Sequence, residues 1–201
     1  MHPNPIFHTG SAPGNLAFAG QRAFGTLCVN GAEGPLVSHV PILLGDGIAE
    51  LHLVRSNPIA RALESPLPAV IAVQGPDSYI SPDWYDMPDQ VPTWNYVAVH
   101  LRGTLERRPQ VEMVDLLARQ SAEYEGRLEK APWTMDKMTP EALEKLLRMI
   151  VPCRMRIGSV DGTWKFSQNK PDAARQSAAE GVRAAGFGSE TAELADRMRD
   201  A

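Results

Sequence analysis

The chain has 201 residues, 43% hydrophobic and 22% charged, ordinary globular usage that excludes disorder, a collagen-like repeat or a coiled coil as the main state. Its formal net charge of −4 gives no compositional reason to expect a broad surface for duplex DNA. No run reaches the roughly 20 apolar residues of a membrane-spanning helix, so no membrane is expected.

The elements follow in chain order. Asn15–Arg22 reads as one or two helical turns after Pro13-Gly14, and Ala23–Asn30 as a short strand closed by the turn Gly31–Gly34. Pro35–Leu44 is a second strand, Gly45-Asp46-Gly47 a turn, and Ile48–Val54 a third strand. Strands split by short Gly-rich turns indicate antiparallel hairpins. Asn57-Pro58 opens a brief helix through Leu63, and Pro68–Gln74 is a buried-type strand. Pro76–Pro92, rich in Pro, Asp, Ser and Tyr, reads as loop. Thr93–Arg107 is a long alternating strand with Val97, Val99 and Leu101 on one face. Trp94, Tyr96, Ala98, His100 and Arg102 lie on the other.

Val111–Glu129 has helical periodicity, as does Pro140–Met149, which Thr139 can cap with proline at the first helical position. Ile150–Val160 is a strand, Asp161-Gly162 a hairpin signal, and Thr163–Gln168 its return strand. Asp172–Ala185 and Ser189–Arg199 are terminal helices. The sum is an α+β fold, mainly antiparallel β, a β-barrel with peripheral helices. Residues 1–170 form the barrel domain, with helices at 111–149, and 171–201 a C-terminal helical extension packed on it.

The N-terminal stretch lacks the basic-then-apolar order of a signal peptide, and Cys28 and Cys153 form no C-x-x-C pair. A cytoplasmic protein with two reduced, buried thiols is the expectation. There is no phosphate-binding G-x-x-x-x-G-K-[ST] loop, no H-E-x-x-H pair and no G-x-S-x-G elbow, and Gly186-Phe187-Gly188 lacks the third glycine of a dinucleotide fingerprint. His39, His52 and His100 sit on different strands, where hydrogen-bonded histidines are commoner than metal ligands, so no metal is expected.

Four segments carry residues that core packing alone does not require. His39-Val40-Pro41 puts proline in a strand, which marks an edge or bulge. His52-Leu53-Val54-Arg55-Ser56-Asn57-Pro58 supplies a guanidinium, a hydroxyl, an amide and a helix start, a workable phosphate cradle or a plain exposed turn. Gly75–Tyr96 gathers aromatics among prolines, fit for a planar ring, a subunit interface or an ordered surface loop. In Thr163–Asn169, Lys165, Ser167 and Asn169 alternate with Trp164, Phe166 and Gln168, a cationic polar face or a hydrated strand edge.

Taken together and in this order, HLVRSNP, GPDSYISPDWY, VPTWNYVAVHLRG and DGTWKFSQN resemble the PaiB-type family of FMN-binding negative transcriptional regulators, over about Pro5 to Gly181. The resemblance implies an FMN-binding split barrel, a homodimer with the cofactor cleft at the interface, and a regulatory role. Flavin-dependent oxidoreductases and haem-binding or haem-degrading proteins share the fold, so FMN is the expected cofactor and haem the alternative. By position, the resemblance carries cofactor contacts to His39, Pro41, His52, Arg55, Ser56, Asn57, Trp94, Asn95, Tyr96, Trp164, Lys165, Ser167, Gln168 and Asn169. No side chain stands out as a general base, which favours a binding protein over an enzyme, with no catalytic residue assigned. No helix-turn-helix is evident, so support for DNA as a partner is thin. One departure stands out: Arg154 occupies a position where the family usually has a carboxylate.

Overall fold

Alternation of apolar and polar side chains builds most of the molecule. The computed structural model describes residues 2–185 and 187–201; Gly186, the first glycine of the rejected fingerprint, lies outside them. The strands are β1 (Phe24–Gly31), β2 (Gly34–Pro41), β3 (Leu43–Gly45), β4 (Ile48–Val54), β5 (Leu67–Ile80), β6 (Thr93–Arg107), β7 (Ile150–Lys165) and β8 (Gly188–Ser189). The helices are α1 (Ala12–Arg22), α2 (Pro58–Ala62), α3 (Met113–Glu125), α4 (Pro140–Met149), α5 (Asp172–Ala185) and α6 (Thr191–Asp200). The sheet runs β2, β1, β5, β6, β7, β4, β3, with β8 paired to β5. The hairpin β1/β2 sets Thr26 opposite His39, and β4 lies antiparallel to β7 with His52 opposite Pro152.

The chain divides into two compact units, each with its own core. Unit 1 is Met1–Phe18, Val73–His100 and Val160–Ala201; unit 2 is Ala19–Ala72 and Leu101–Ser159. In unit 2, Leu27, Leu51, Ile71, Leu101, Leu105 and Met155 are fully buried, each side chain worth roughly 1.5–3 kcal/mol of transfer free energy. In unit 1 the core joins Val97, Val99, Ile80 and Tyr85 to the small inner faces of α5 and α6, where Ala178, Ala179, Val182, Leu194 and Met198 have no exposed surface. The C-terminal helices therefore belong to unit 1. Among the described residues no helix is long and apolar enough to cross a membrane.

Three expectations need correction. Asp161-Gly162 makes no hairpin; β7 runs unbroken from Ile150 to Lys165. Gly162 is there for room: a Cβ on it would fall 2.2 Å from Asn15 Oδ1. Pro76–Ile80 is not loop but the end of β5, where Asp77 and Ser78 pair with Ser189 and Gly188. Cys153 is buried as expected, whereas Cys28 is only half-buried. Helix α4 does start as read, with Thr139 Oγ1 accepting from the Ala142 amide and proline in the first turn.

Candidate functional site

The residues singled out from the sequence fall into two clusters, one in each unit. In unit 2, β4 ends at Val54 and the chain turns through Arg55, Ser56 and Asn57 into α2. Asn57 shapes this turn. Its Oδ1 accepts from the Ile59 amide at 2.9 Å, an N-cap, and its Nδ2 donates to Ser38 Oγ at 3.0 Å, tying the turn to β2 beside His39.

Arg55 is exposed but braced. Nε donates to the Arg148 carbonyl at 2.9 Å, and Nη2 donates to Gln110 Oε1 at 2.9 Å and to the Ile150 carbonyl at 3.3 Å. Nη1 bonds to no described residue, and neither do the hydroxyl and amide of exposed Ser56. The turn thus holds several donors in place without using them. His39 is exposed on β2, its ring stacked on Phe24 at 6.4 Å, and Pro41 closes that strand half-buried.

His52 points elsewhere. It faces α3, with Nδ1 3.1 Å from Gln120 Oε1, and burial lowers its pKa more than that bond raises it. On the same face of β4, Glu50 meets Arg119 at 2.5 Å and Arg154 at 3.0 Å. Burial pushes the Glu50 carboxyl up, but the two guanidinium groups outweigh it and hold the carboxyl below the usual range. Arg154 thus lies in a charge network with Glu50 and Glu112 between β4, β7 and α3.

The second cluster is in unit 1. Ser167 is buried in left-handed backbone, φ 63°. Its Oγ lies 2.7 Å from Tyr85 Oη and accepts from Asn95 Nδ2 at 2.9 Å. Asn95 is fully buried, and its Oδ1 bonds to no described residue. Gln168 closes a tight local loop, Oε1 accepting from the Phe166 amide and Nε2 donating to the Trp164 carbonyl at 2.6 Å. Trp164 donates from its indole to Asn15 Oδ1 at 2.7 Å. Lys165 Nζ donates to Thr93 Oγ1 and the Trp94 carbonyl and lies over the Phe7 ring; burial, then Lys170, lowers its pKa. Asn169 is exposed. Trp94 is 43% exposed and meets Phe187, 59% exposed, and Tyr79, while Tyr96 is half-buried on the same face of β6.

Sequence reasoning missed Tyr85, Gln110, Gln120, Asn15 and Phe187 as partners of these residues. Only Tyr85 lay inside a segment already marked for its aromatics; the others become legible through long-range contacts. Among the described residues no three His, Cys, Asp or Glu side chains cluster as a metal site.

The mostly antiparallel sheet with outlying helices is an α+β arrangement that fits a split-barrel protein, and solved structures share the fold. One, described as an FAD- and haem-binding protein from Mycobacterium smegmatis, superposes with a TM-score of 0.61 at 16% identity over 90% of this chain and 81% of that one. Another, the flavocytochrome Anf3 from Azotobacter vinelandii, gives 0.55 at 12% identity over 82% of this chain and 72% of its own. In sequence, residues 1–159 match the family described as "Putative FMN-binding domain". The Bacillus subtilis "Protease synthase and sporulation protein PAI 2" is 30% identical over 157 residues, 76% of this chain and 75% of that protein. The chain belongs to that FMN-binding-domain family, as a PaiB-type member.

Proposed function

We propose that the protein binds FMN as a homodimer, with the phosphate at the Arg55–Asn57 turn, and serves a regulatory role. The observation that carries the reading is the braced, unspent donor set at that turn: the Arg55 Nη1 group and the Ser56 hydroxyl and amide. A phosphate dianion needs a cation and several N–H or O–H donors held in place, and these residues fit it. Asn57 shapes the cradle rather than contacting the ligand, because both ends of its amide are engaged. In the homodimer the flavin ring would rest on aromatic side chains contributed by the second protomer, for which exposed Trp94 and half-buried Tyr96 are suited. Bound FMN would supply the electron chemistry, and no residue of this chain is given a catalytic step. In this reading residues 1–170 carry the barrel, 171–201 are a helical extension, and the protein works in the cytoplasm.

The test is a fluorescence titration of the purified chain with FMN, FAD and riboflavin. FMN should bind saturably and riboflavin about 10- to 100-fold more weakly, the worth of charge-assisted bonds to the missing phosphate. Equal binding of riboflavin would remove the phosphate assignment, and no flavin binding with a Soret band on haem addition would replace the reading. Light scattering should give a dimer mass. A gel shift that fades steeply with salt would add direct DNA contact; none at low salt would leave regulation to a protein partner.

A further inference from the structure

A cavity lies in unit 2, lined from α3, α4, the ends of β4 and β7 and the segment between the helices. It has a volume of about 300 Å³, at the lower end of the range of small-molecule sites. Its walls include Leu117, Trp133, Met138, Leu147 and Ile150, and Ser121 is the one polar residue among them. Helix α4 is strongly two-sided, yet none of its residues is buried, because its leucines face this cavity.

The segment between the helices, which lines one wall, is tied down. Glu125 accepts from the Trp133 amide at 2.7 Å and from Lys130 Nζ, Lys137 Nζ donates to the Pro132 carbonyl at 2.9 Å, and the Met138 amide donates to the Met135 carbonyl. The cavity is open on one side, where Val54, Leu146 and Met149 are about half exposed, but its volume of about 300 Å³ suits one small molecule rather than a long peptide helix. The absence of any charged residue from the lining excludes an ionic ligand, whose desolvation nothing would repay. Ser121 Oγ bonds to no described residue and can serve one polar group.

We infer that this cavity is a binding site for a small uncharged molecule with a hydrocarbon or aromatic body and at most one polar group. It is separate from the flavin reading and does not depend on it. Three methionines in the lining let the site adapt to ligand shape.

N-phenyl-1-naphthylamine, a neutral fluorophore, tests the inference on the full chain. Its emission should rise saturably at one site per chain, with energy transfer from Trp133. Met138→Trp fills the cavity and should weaken binding at least tenfold with an unchanged circular-dichroism spectrum. Should that variant misfold, Trp133→Phe leaves most of the volume and should abolish the Trp133 share of the energy transfer. No saturable emission, or unchanged affinity in a folded Met138→Trp, or unchanged energy transfer in Trp133→Phe, overturns it.

Discussion

In the Trp164–Asn169 segment the polar side chains up to Gln168 are already bonded within unit 1: Ser167 to Tyr85 and Asn95, Lys165 to Thr93 and the Trp94 carbonyl, Gln168 to its own loop. At the Arg55–Asn57 turn of unit 2, Asn57 is spent on structure while Arg55 and Ser56 keep donors toward solvent. Both segments look equally functional as strings of letters. The first behaves as a lock that fixes the end of β7, and the second as a cradle. Residue type alone does not separate a ligand contact from a structural one; the fraction of hydrogen-bonding capacity left unspent does.

The difference can be broken first at Asn95. Asn95→Ala removes a fully buried bond to Ser167 and leaves a void, so chemical denaturation should show a loss of about 2–3 kcal/mol. A loss near zero would mean the Ser167 network is not a lock. Arg55→Ala should behave oppositely. Its bonds are exposed, so stability should fall by only about 0.5–1 kcal/mol, while FMN affinity drops roughly 10- to 100-fold. A large stability loss with unchanged flavin affinity would make Arg55 a structural residue.

A finer probe is pH. Burial holds the folded-state pKa of His52 below the ordinary histidine value of about 6.5. As pH falls below about 6.5 the unfolded chain takes up the proton first, so this contribution to stability is lost progressively until the folded-state pKa is passed. Melting temperatures across that window should fall more in the parent than in His52→Gln; parallel curves would remove His52 as the cause. The smallest effect concerns the thiols. Burial pushes Cys153 up to about 12, so at neutral pH a maleimide should label half-buried Cys28 and spare Cys153 until the protein unfolds, as read by peptide mass.

Much of the fold was legible because period-2 alternation needs no partner to be seen: β4 buries Ala49, Leu51 and Leu53, and β6 buries Val97, Val99 and Leu101. The misreadings occurred where tertiary contact overrides local chemistry. Gly162 signals a turn by itself, but opposite Asn15 it is a clearance within an unbroken strand. Pro76 and Asp77 are loop formers, yet both lie within β5, and Asp77 itself pairs with Ser189 of β8. Of the candidate site, the Arg55 turn was visible in its donors. The inward commitment of Asn95 and Ser167 was not, because Ser167 meets Tyr85, 82 residues away, and Asn95 also meets Met198, 103 residues away.

Helix α4 ends without a glycine cap of its own. The Leu147, Arg148 and Ile150 carbonyls at its end are satisfied by Gln110 and Arg55, and no residue of the helix is buried. Amide exchange in its last turn therefore depends on whether one arginine and one glutamine stay docked, and anything that draws the guanidinium outward leaves the Arg148 carbonyl without its partner.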